Sequence, residues 1–566
     1  MKIMPPARFR SCAPVDASLA REARPPAAAS VWRRWWLGLL VHCDAFRLDP
    51  FGYVQGVVWR LRGLRVRSRN RLAALMGRSP HAYALWVARA EPKLRQDLDP
   101  ASTSGPPIRA VIDCSAGSDG LEDTLDSLRK ADPDVTAIAV GAEVTEIPFV
   151  ARAGELASLV TTDGSWLCII RAGDRLAANA LAAYQAAAAR HDEGWLIYAD
   201  DDLIDGGKRV HPHFKCAWNP ELFENHDFIS GAAIVRATPP MLTQLPSDDW
   251  VEALVHAALK RADPVHLPAV LHHRRGRPAP SIPPKPPLLP AASAPLVSVI
   301  IPTRNGEALL RTCVEGLRRT AYPEIELLIV DNGSDEPATL RLLDDLRDEG
   351  ARVCKVPGPF NFSTLNNAAA RHARGDLLCF LNNDIEILDP DWLSILVLQA
   401  IRPEIGAVGC RLLYPDGSVQ HAGVVTGVGG GAAHAHRFQR TDEAGYFLRD
   451  RLPQRVSAVT AACLVVAKDK FLAVGGFNEE DFAVAFNDVD LCLKLNSRGW
   501  QSFYEPRATL VHHESKSRGS DRAKENRARF AAELSALKRR WGTDCSRDPY
   551  HHPQLSPFSE QFYVAL

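Results

Sequence analysis

The chain has 566 residues, 46% hydrophobic and 24% charged, with 67 Lys and Arg against 67 Asp and Glu. This is globular composition; it excludes a mainly disordered chain, a collagen-like one and a small disulfide scaffold. A net charge of zero also excludes a uniformly basic nucleic-acid binder, and a length divisor of about 150 residues gives three to four domains.

Residues 1–80 come first and carry fifteen Lys and Arg against four Asp and Glu, a net of +11, so the other 486 carry −11. Residues 31–41 read VWRRWWLGLLV. Arg beside Trp and Leu suits a segment lying on an anionic lipid surface; a basic arm with one short apolar anchor has the same composition. The best apolar run, 35–41, is seven residues, against the roughly 18 that a membrane span needs. No signal-peptide h-region precedes a small-residue cleavage site. Twelve cysteines form no C-x-x-C pair and fall in strand-like contexts such as Cys168, Cys379 and Cys463, which suits buried thiols in a reducing compartment. The expectation is a cytoplasmic chain, peripheral on the inner face of the cell membrane.

From about residue 81 the pattern is α/β. Runs at 108–113, 135–140, 166–170 and 195–198 read as strands. Leu121, Leu125 and Leu128 recur at helical spacing, and 176–190 is an alanine-rich helix. Residues 278–295 then read PAPSIPPKPPLLPAASAP, eight prolines in eighteen, a semi-rigid linker and the strongest boundary in the chain. After it the pattern restarts, with strands at 297–302, 327–330 and 377–381 and helices through Leu310, Val314 and Leu317 and across 337–349. Alternating strands and helices predict mostly parallel sheets, whose ligands sit beyond the carboxyl ends of the strands. The halves resemble each other: Arg171 to Asp174 occupies the place of Asn382-Asn383-Asp384, and FISGAAIVR (228–236) echoes VTAACLVVAK (459–468). The domains read as 1–80, a basic Trp-containing segment; 81–277, a degenerate α/β copy; 278–295, the linker; 296–520, the second copy; and 521–566, a helix and tail.

Five stretches occur in series in the second copy: VSVIIPTRN (297–305), IVDNGS (329–334), FNFSTLNNAAARHARGDLLCFLNNDIEI (360–387), GGFNEEDFAVAFNDVDLCLKLNSRGW (475–500) and VHHESKSRG (511–519). Together they resemble glycosyltransferase family 2, inverting enzymes of GT-A (nucleotide-diphospho-sugar transferase) fold. DGSVQHAGVV (416–425), the glycine run 427–431 and DPYHHPQLSP (548–557) look like the bacterial transferases of O-antigen and other surface polysaccharides. The resemblance implies two GT-A-like domains, a nucleotide-sugar donor and a glycan or lipid-linked glycan acceptor.

Asp331 ends a strand, where its carboxylate can accept from the base or ribose of a nucleotide; Asp-Asn-Gly-Ser is also strong turn chemistry. Pro302, Thr303, Arg304 and Asn305 end the neighbouring strand, and the resemblance places Asn366, Asn382 and Asn383 on the same nucleotide-sugar side. A diphosphate leaving group is neutralised by a divalent cation, and Mg2+ or Mn2+ prefers oxygen ligands. Asp384 resembles the last residue of the family's D-x-D motif, whose first acid is Asn382 here. Strand alternation would put Glu386 on the side of Asp384. The resemblance implies a further metal ligand at His512 or His513; only one can face the site, and the reading leans to His513. Asp488 resembles the aspartate of the family's E-D motif and would take the acceptor's proton. Asn487 replaces its usual acidic neighbour, which removes a charge that raises the pKa. Asp490 falls on the helix, where it would pack or pair.

SKSRG (515–519) reads as a basic lid or a solvated loop. Gln420, His421, His434 and His436 flank the 427–431 glycines, an acceptor-side loop by resemblance. In the first copy Cys114-Ser115-Ala116 replaces the nucleotide loop, and Asp200, Asp201 and Asp202 read as an acidic turn or, less well, a cation site. The expected function is metal-dependent inverting sugar transfer by the second copy. The alternative is a non-catalytic glycan-binding or assembly protein, motivated by Asn382 and Asn487; a sugar nucleotidyltransferase would need a G-x-G-T-R signature near its first strand.

Overall fold

The computed structural model describes residues 28–98, 105–160, 164–514 and 526–566. The SKSRG stretch and residues 1–27 lie outside the described residues. The chain divides into two compact units. Among the described residues, one holds those from 28 to 280 with 552–556 and 563–566; the other holds 281–551 with 557–562. The division thus falls inside the proline-rich stretch, which forms no strand or helix apart from one 3-10 turn at Ala291–Ser293. No helix among the described residues is long and apolar enough to cross a membrane.

The first unit opens with five helices, α1 (Ala28–Leu48), α2 (Pro50–Leu61), α3 (Arg65–Gly77), α4 (Ala82–Arg89) and α5 (Glu91–Leu98). The basic segment is therefore folded from residue 28 onward rather than an arm with one anchor. Leu37 and Val41 of α1 pack on Leu85 of α4, because residues four apart share a helix face.

Nine strands follow among the described residues of this unit: β1 (Ile108–Asp113), β2 (Ala137–Val140), β3 (Phe149–Val150), β4 (Ser165–Arg171), β5 (Arg175–Leu176), β6 (Leu196–Asp205), β7 (Lys208–His213), β8 (Ala233–Ala237) and β9 (Val265–Arg274). They form one sheet in the order β3-β2-β1-β4-β8-β6-β9-β5, with β7 on β6. The predicted acidic turn does not exist: Asp200, Asp201 and Asp202 lie buried inside β6. The apolar run before them and β7 after them carry the strand across the acids.

The second unit holds β10 (Val297–Thr303), β11 (Ile325–Asp331), β12 (Arg352–Lys355), β13 (Leu377–Leu381), β14 (Ile385–Glu386), β15 (Ile405–Leu413), β16 (Val419–His421), β17 (Val424–Thr426), β18 (Ala432–His434), β19 (Gln454–Val456), β20 (Cys463–Ala467) and β21 (Gln501–His512). Its main sheet runs β12-β11-β10-β13-β20-β15-β21-β14. Taken strand by strand, this is the order of the first sheet. In each path six of the eight strands point one way; β8 and β5, or β20 and β14, run against them. The sequence echo between 228–236 and 459–468 falls on β8 and β20, which hold the same place.

All seven residues of β10 and all five of β13 are buried. Strands covered on both faces need continuous apolar runs, and VSVIIP and LLCFL supply them. Cys168, Cys379 and Cys463 are buried as expected. Helix Glu307–Arg318 buries Leu310, Cys313, Val314 and Leu317, one face at i, i+3, i+4 and i+7. Helix Phe362–His372 starts where the Asn361 side chain accepts from the Thr364 amide at 3.0 Å, which satisfies an otherwise unpaired donor. These helices cover the sheet and leave the strand ends open.

Candidate functional site

The carboxyl ends of β10 and β11 are in register, with Thr303 opposite Asp331. The Asn332 amide donates to the Thr303 carbonyl at 2.9 Å. Asp331 is buried and its Oδ1 accepts from the Ser334 amide at 2.8 Å, so the turn chemistry is realised at the same place as the proposed nucleotide contact. Asn305 sits at φ 55°, a conformation Asn tolerates better than most residues. Its Oδ1 accepts from the amides of Asp335 and Glu336 at 3.0 and 3.1 Å. Pro302 and Thr303 are buried, and Arg304 is exposed. Asn383 Nδ2 donates to Thr303 Oγ1 at 3.0 Å, joining this loop to the end of β13. Asn366 stands apart, buried in its helix and donating to the Phe362 carbonyl at 2.8 Å.

Asp384 lies in the turn between β13 and β14 and faces His512, with Oδ1 to Nε2 at 3.0 Å. His513 instead meets Glu386, Nε2 to Oε2 at 2.9 Å. Of the two histidines it is thus His512 that meets Asp384: alternation holds along a strand, but Asp384 precedes β14, and the turn carries its carboxylate to the His512 side. Glu386, inside β14, is the partner of His513.

The His512 ring is fixed from behind. Its Nδ1 is 2.7 Å from Gln420 Oε1, while Gln420 Nε2 donates to Glu514 Oε2 at 3.0 Å. The amide oxygen therefore accepts the Nδ1 proton, which leaves Nε2 free to act as a ligand nitrogen. Asn382 Nδ2 approaches the same Nε2 at 3.3 Å. Asp384 Oδ1 is buried and makes no hydrogen bond of good geometry. Burial opposes ionisation of this carboxyl, but a protonated His512 ring and the more distant His513 would hold it below the usual carboxylate range; the neutral ring is the form that can ligate a cation. A carboxylate oxygen and an imidazole lone pair held face to face are a fit for a divalent cation, with phosphate or water oxygens completing its shell.

Asn382, His512 and Asp488 all line one cavity of about 830 Å³, which is within the usual range for a small-molecule site. Asp488 opens helix Asn487–Ser497. Its oxygens accept from the amides of Ala461 and Val489 at 3.2 and 2.8 Å. Burial pushes its pKa up, against these hydrogen bonds that lower it. The replacement of the neighbouring acid by Asn487 thus does not leave Asp488 with a depressed pKa; desolvation takes the place of the missing charge. Asn487 itself is buried and donates to the Val484 carbonyl. Asp490 is a packing residue, accepting from Trp541 Nε1 at 2.9 Å and paired with Lys494 and Arg540.

The cavity also contains residues that the sequence did not single out. Arg437 donates to the Tyr414 hydroxyl at 2.8 Å and pairs with Glu514 at 3.3 Å; the Phe486 and Phe530 rings meet at a tilt, with centroids 5.3 Å apart. Glu514 follows the His pair and was open to discovery from that position, whereas nothing local marks Arg437 or Phe530. The 427–431 glycines do not form an open loop: they close the β17–β18 hairpin, with His434 opposite Val424. Asp548 of the tail holds that hairpin through the Thr426 amide at 2.7 Å. His434 lines the cavity and lies 2.8 Å from His421, Nδ1 to Nδ1; burial lowers its pKa to about 4. His436 turns away and stacks on Phe562.

The first unit fills the corresponding positions differently. Asp174 ends the turn before β5, where Asp384 stands before β14. It accepts from the Arg275 amide at 2.7 Å and faces the Arg274 guanidinium at 3.7 Å. Burial raises its pKa to about 6. Asp201 pairs with Lys215 at 2.9 Å and Arg277 at 2.7 Å, and Asp202 with Arg209 at 2.6 Å. Asp200, His266 and His552 bring one ligand atom each within 4.8 Å of one another. Such a trio can hold a cation, but both carboxylate oxygens already face imidazole nitrogens, at 2.9 and 2.8 Å.

Residues 298–447 match the family model "Glycosyl transferase family 2". The chain is 38% identical over 450 residues to the uncharacterised protein y4gI of Sinorhizobium fredii, covering 71% of this chain and 50% of that protein. It is 35% identical over 438 residues to the O-antigen biosynthesis protein RfbC of Myxococcus xanthus, covering 69% of this chain and 34% of that one. The chain thus spans half or less of the length of these curated relatives. A solved mannosyltransferase of Pyrobaculum calidifontis, in complex with GDP-Man and Mn2+, aligns at 20% identity and TM-score 0.34, over 48% of this chain and 71% of its own. Residues 298–447, on the sheet that carries Asp331 and Asp384, thus form a domain of glycosyltransferase family 2.

Proposed function

We propose that the second unit is a metal-dependent inverting glycosyltransferase. It would move a sugar from a nucleotide-sugar donor to a glycan acceptor in bacterial surface polysaccharide synthesis of the O-antigen kind. The observation that carries this reading is one cavity lined by Asn382, His512 and Asp488, with the Asp384 carboxylate 3.0 Å from the His512 ring.

In this reading Asp331, Asn383 and the loop Pro302, Thr303, Arg304 and Asn305 bind the nucleotide, with Asn382 at the ribose or a bound water. Asp384 and His512 would hold Mg2+ or Mn2+, which supplies positive charge for the leaving diphosphate. Asn366 supports this wall from behind rather than touching the donor, and His513 orients Glu386. Asp488 accepts the proton of the acceptor hydroxyl as that oxygen displaces the diphosphate from the opposite face of the sugar, inverting its anomeric carbon. Its raised pKa suits a base. Arg437, Tyr414 and His434 would line the acceptor side. The first unit keeps the sheet without the chemistry and acts as a scaffold. The acceptor is lipid-linked, and the chain works at the cytoplasmic face of a membrane.

The test is a panel of UDP-, dTDP- and GDP-sugars with Mn2+, read by thermal shift and donor hydrolysis. A bound donor raises apparent stability by mass action. Hydrolysis by the wild type and a loss of about 10³-fold in Asp384→Ala is the expected result. No turnover with any donor, together with glycan binding, would replace the enzyme by a glycan-binding protein.

A further inference from the structure

We infer that α1, α2 and the turn leading to α3 form a surface that seats on an anionic bilayer. The inference deepens the reading of a lipid-linked acceptor and takes its purpose from that reading, though not its geometry.

Two helices are built inside out. In α1, Trp32, Trp35, Trp36, Leu39, Cys43 and Phe46 are all exposed, with Trp32 at 77% and Trp35 at 73%. Their spacing of three and four residues puts them on one face. The opposite face, Leu37, Val41 and Ala45, is buried, so packing the helix does not require the tryptophans. In α2 the buried residues are the small ones, Gly52 and Gly56. A Cβ on Gly56 would meet Leu72 of α3 at 2.8 Å. Close approach to α3 thus uses the glycines and leaves Phe51, Val54 and Leu61 outside, at 77%, 50% and 83% exposure. Phe46 of α1 meets Tyr53 of α2 edge-on at 5.9 Å, which joins the two helices.

Charge selects the occupant. Residues 28–80 contain ten Arg and two acids. Asp44 accepts from Ser79 and His81, and Asp49 caps α2 and pairs with Arg71, so both acids are engaged inside the helical layer. Arg33, Arg47, Arg60, Arg62, Arg65 and Arg67 remain exposed. Trp and Phe beside Arg match the interface of an anionic bilayer, where indole rings sit at headgroup depth and guanidinium groups meet phosphate. A second copy of the chain on this face would set Arg against Arg, which is unfavourable.

Co-sedimentation of the full chain with vesicles tests this. The chain should bind phosphatidylcholine vesicles containing phosphatidylglycerol, bind those without it weakly, and be released by salt. Trp32→Ser, Trp35→Ser and Trp36→Ser together should lower binding about ten-fold or more. Arg60→Gln, Arg62→Gln and Arg65→Gln together should remove the preference for phosphatidylglycerol. Brominated lipid should quench the wild type more than the triple Trp variant. Because these side chains are exposed, both variants should keep the wild-type melting temperature. Binding by the triple Trp variant equal to wild type overturns the inference, as does a stable wild-type dimer that the Trp substitutions dissociate. Donor hydrolysis, assayed in the same preparation without vesicles, separates the two readings. Hydrolysis without vesicle binding sinks the surface alone; vesicle binding without hydrolysis sinks the transferase alone.

Discussion

The two sheets share strand order and direction, yet one forms a site and the other neutralises itself. The difference is concentrated at the turn after the fourth strand. Asp384 faces an imidazole whose free nitrogen points at it. Asp174 faces guanidinium and main-chain N–H groups, with the Arg275 side chain 2.6 Å from where a Gly173 Cβ would stand. A guanidinium is a permanent cation with no lone pair to offer a metal. On the proposed reading, a fixed positive charge in place of the imidazole keeps the carboxylate structurally employed and removes it as a metal ligand. Lys215, Arg277 and Arg209 do the same for Asp201 and Asp202. The sheet survives because its apolar strands are independent of what stands at their ends.

The comparison can be broken in four places. The largest effect is expected at the base. Asp488→Asn should lower transfer by about 10²–10⁴-fold, with little change in donor thermal shift. In the wild type, the acid limb of kcat/KM should lie above the ordinary carboxylate range, since burial raises the Asp488 pKa and activity is lost as that base is protonated. A limb at an ordinary carboxylate value would remove Asp488 from the role.

Next, Asp384→Ala should cost about 10³-fold in donor hydrolysis, the size of a lost metal contribution of several kcal/mol. Asp174→Asn should leave hydrolysis within about two-fold. If the two substitutions damage hydrolysis equally, the first copy is not a scaffold.

His512 and His513 sharpen the assignment. His512→Ala should weaken apparent Mn2+ affinity strongly, and Gln420→Leu, which acts through the ring, by about 10–100-fold. His513→Ala should be close to wild type, because His513 is engaged with Glu386. The reverse ranking, read by Mn2+ titration of hydrolysis and of the melting temperature, would restore His513.

The smallest effect concerns stability. Asp174 has its folded pKa raised to about 6. A raised carboxyl pKa favours the protonated folded form, so its contribution is present at low pH and lost as pH rises through about 6. Ionised Asp174 therefore destabilises the fold by roughly 3 kcal/mol at neutral pH, at about 1.4 kcal/mol per pKa unit. Asp174→Asn should melt higher than wild type at pH 7, and the gain should shrink as the pH is lowered toward 4. Equal melting temperatures at every pH would show that Arg274 compensates the charge fully.

Much of this was legible beforehand. LLCFL predicts the strand at 377–381, and the structure has that strand at Leu377–Leu381. The order of motifs predicts a duplicated α/β fold, and both sheets carry it. The five N-terminal helices were hidden because their tryptophans and arginines mark composition, whereas the small residues that make the packing possible, Gly52 and Gly56, carry no apolar signal. Arg437, Tyr414 and Phe530 were hidden because they reach the cavity from segments far apart in sequence.

The sequence by itself determined which segments become strands and helices, since apolar periodicity and turn residues are local properties. It also determined which chemical groups stand at the strand ends. Tertiary structure decided which of those groups meet. A turn carries Asp384 to His512 and not His513, Gln420 fixes the ring from a distant strand, and Arg274 takes the facing place in the first copy. A shift of one residue at a turn changes the partner, and only the packed sheet fixes that shift.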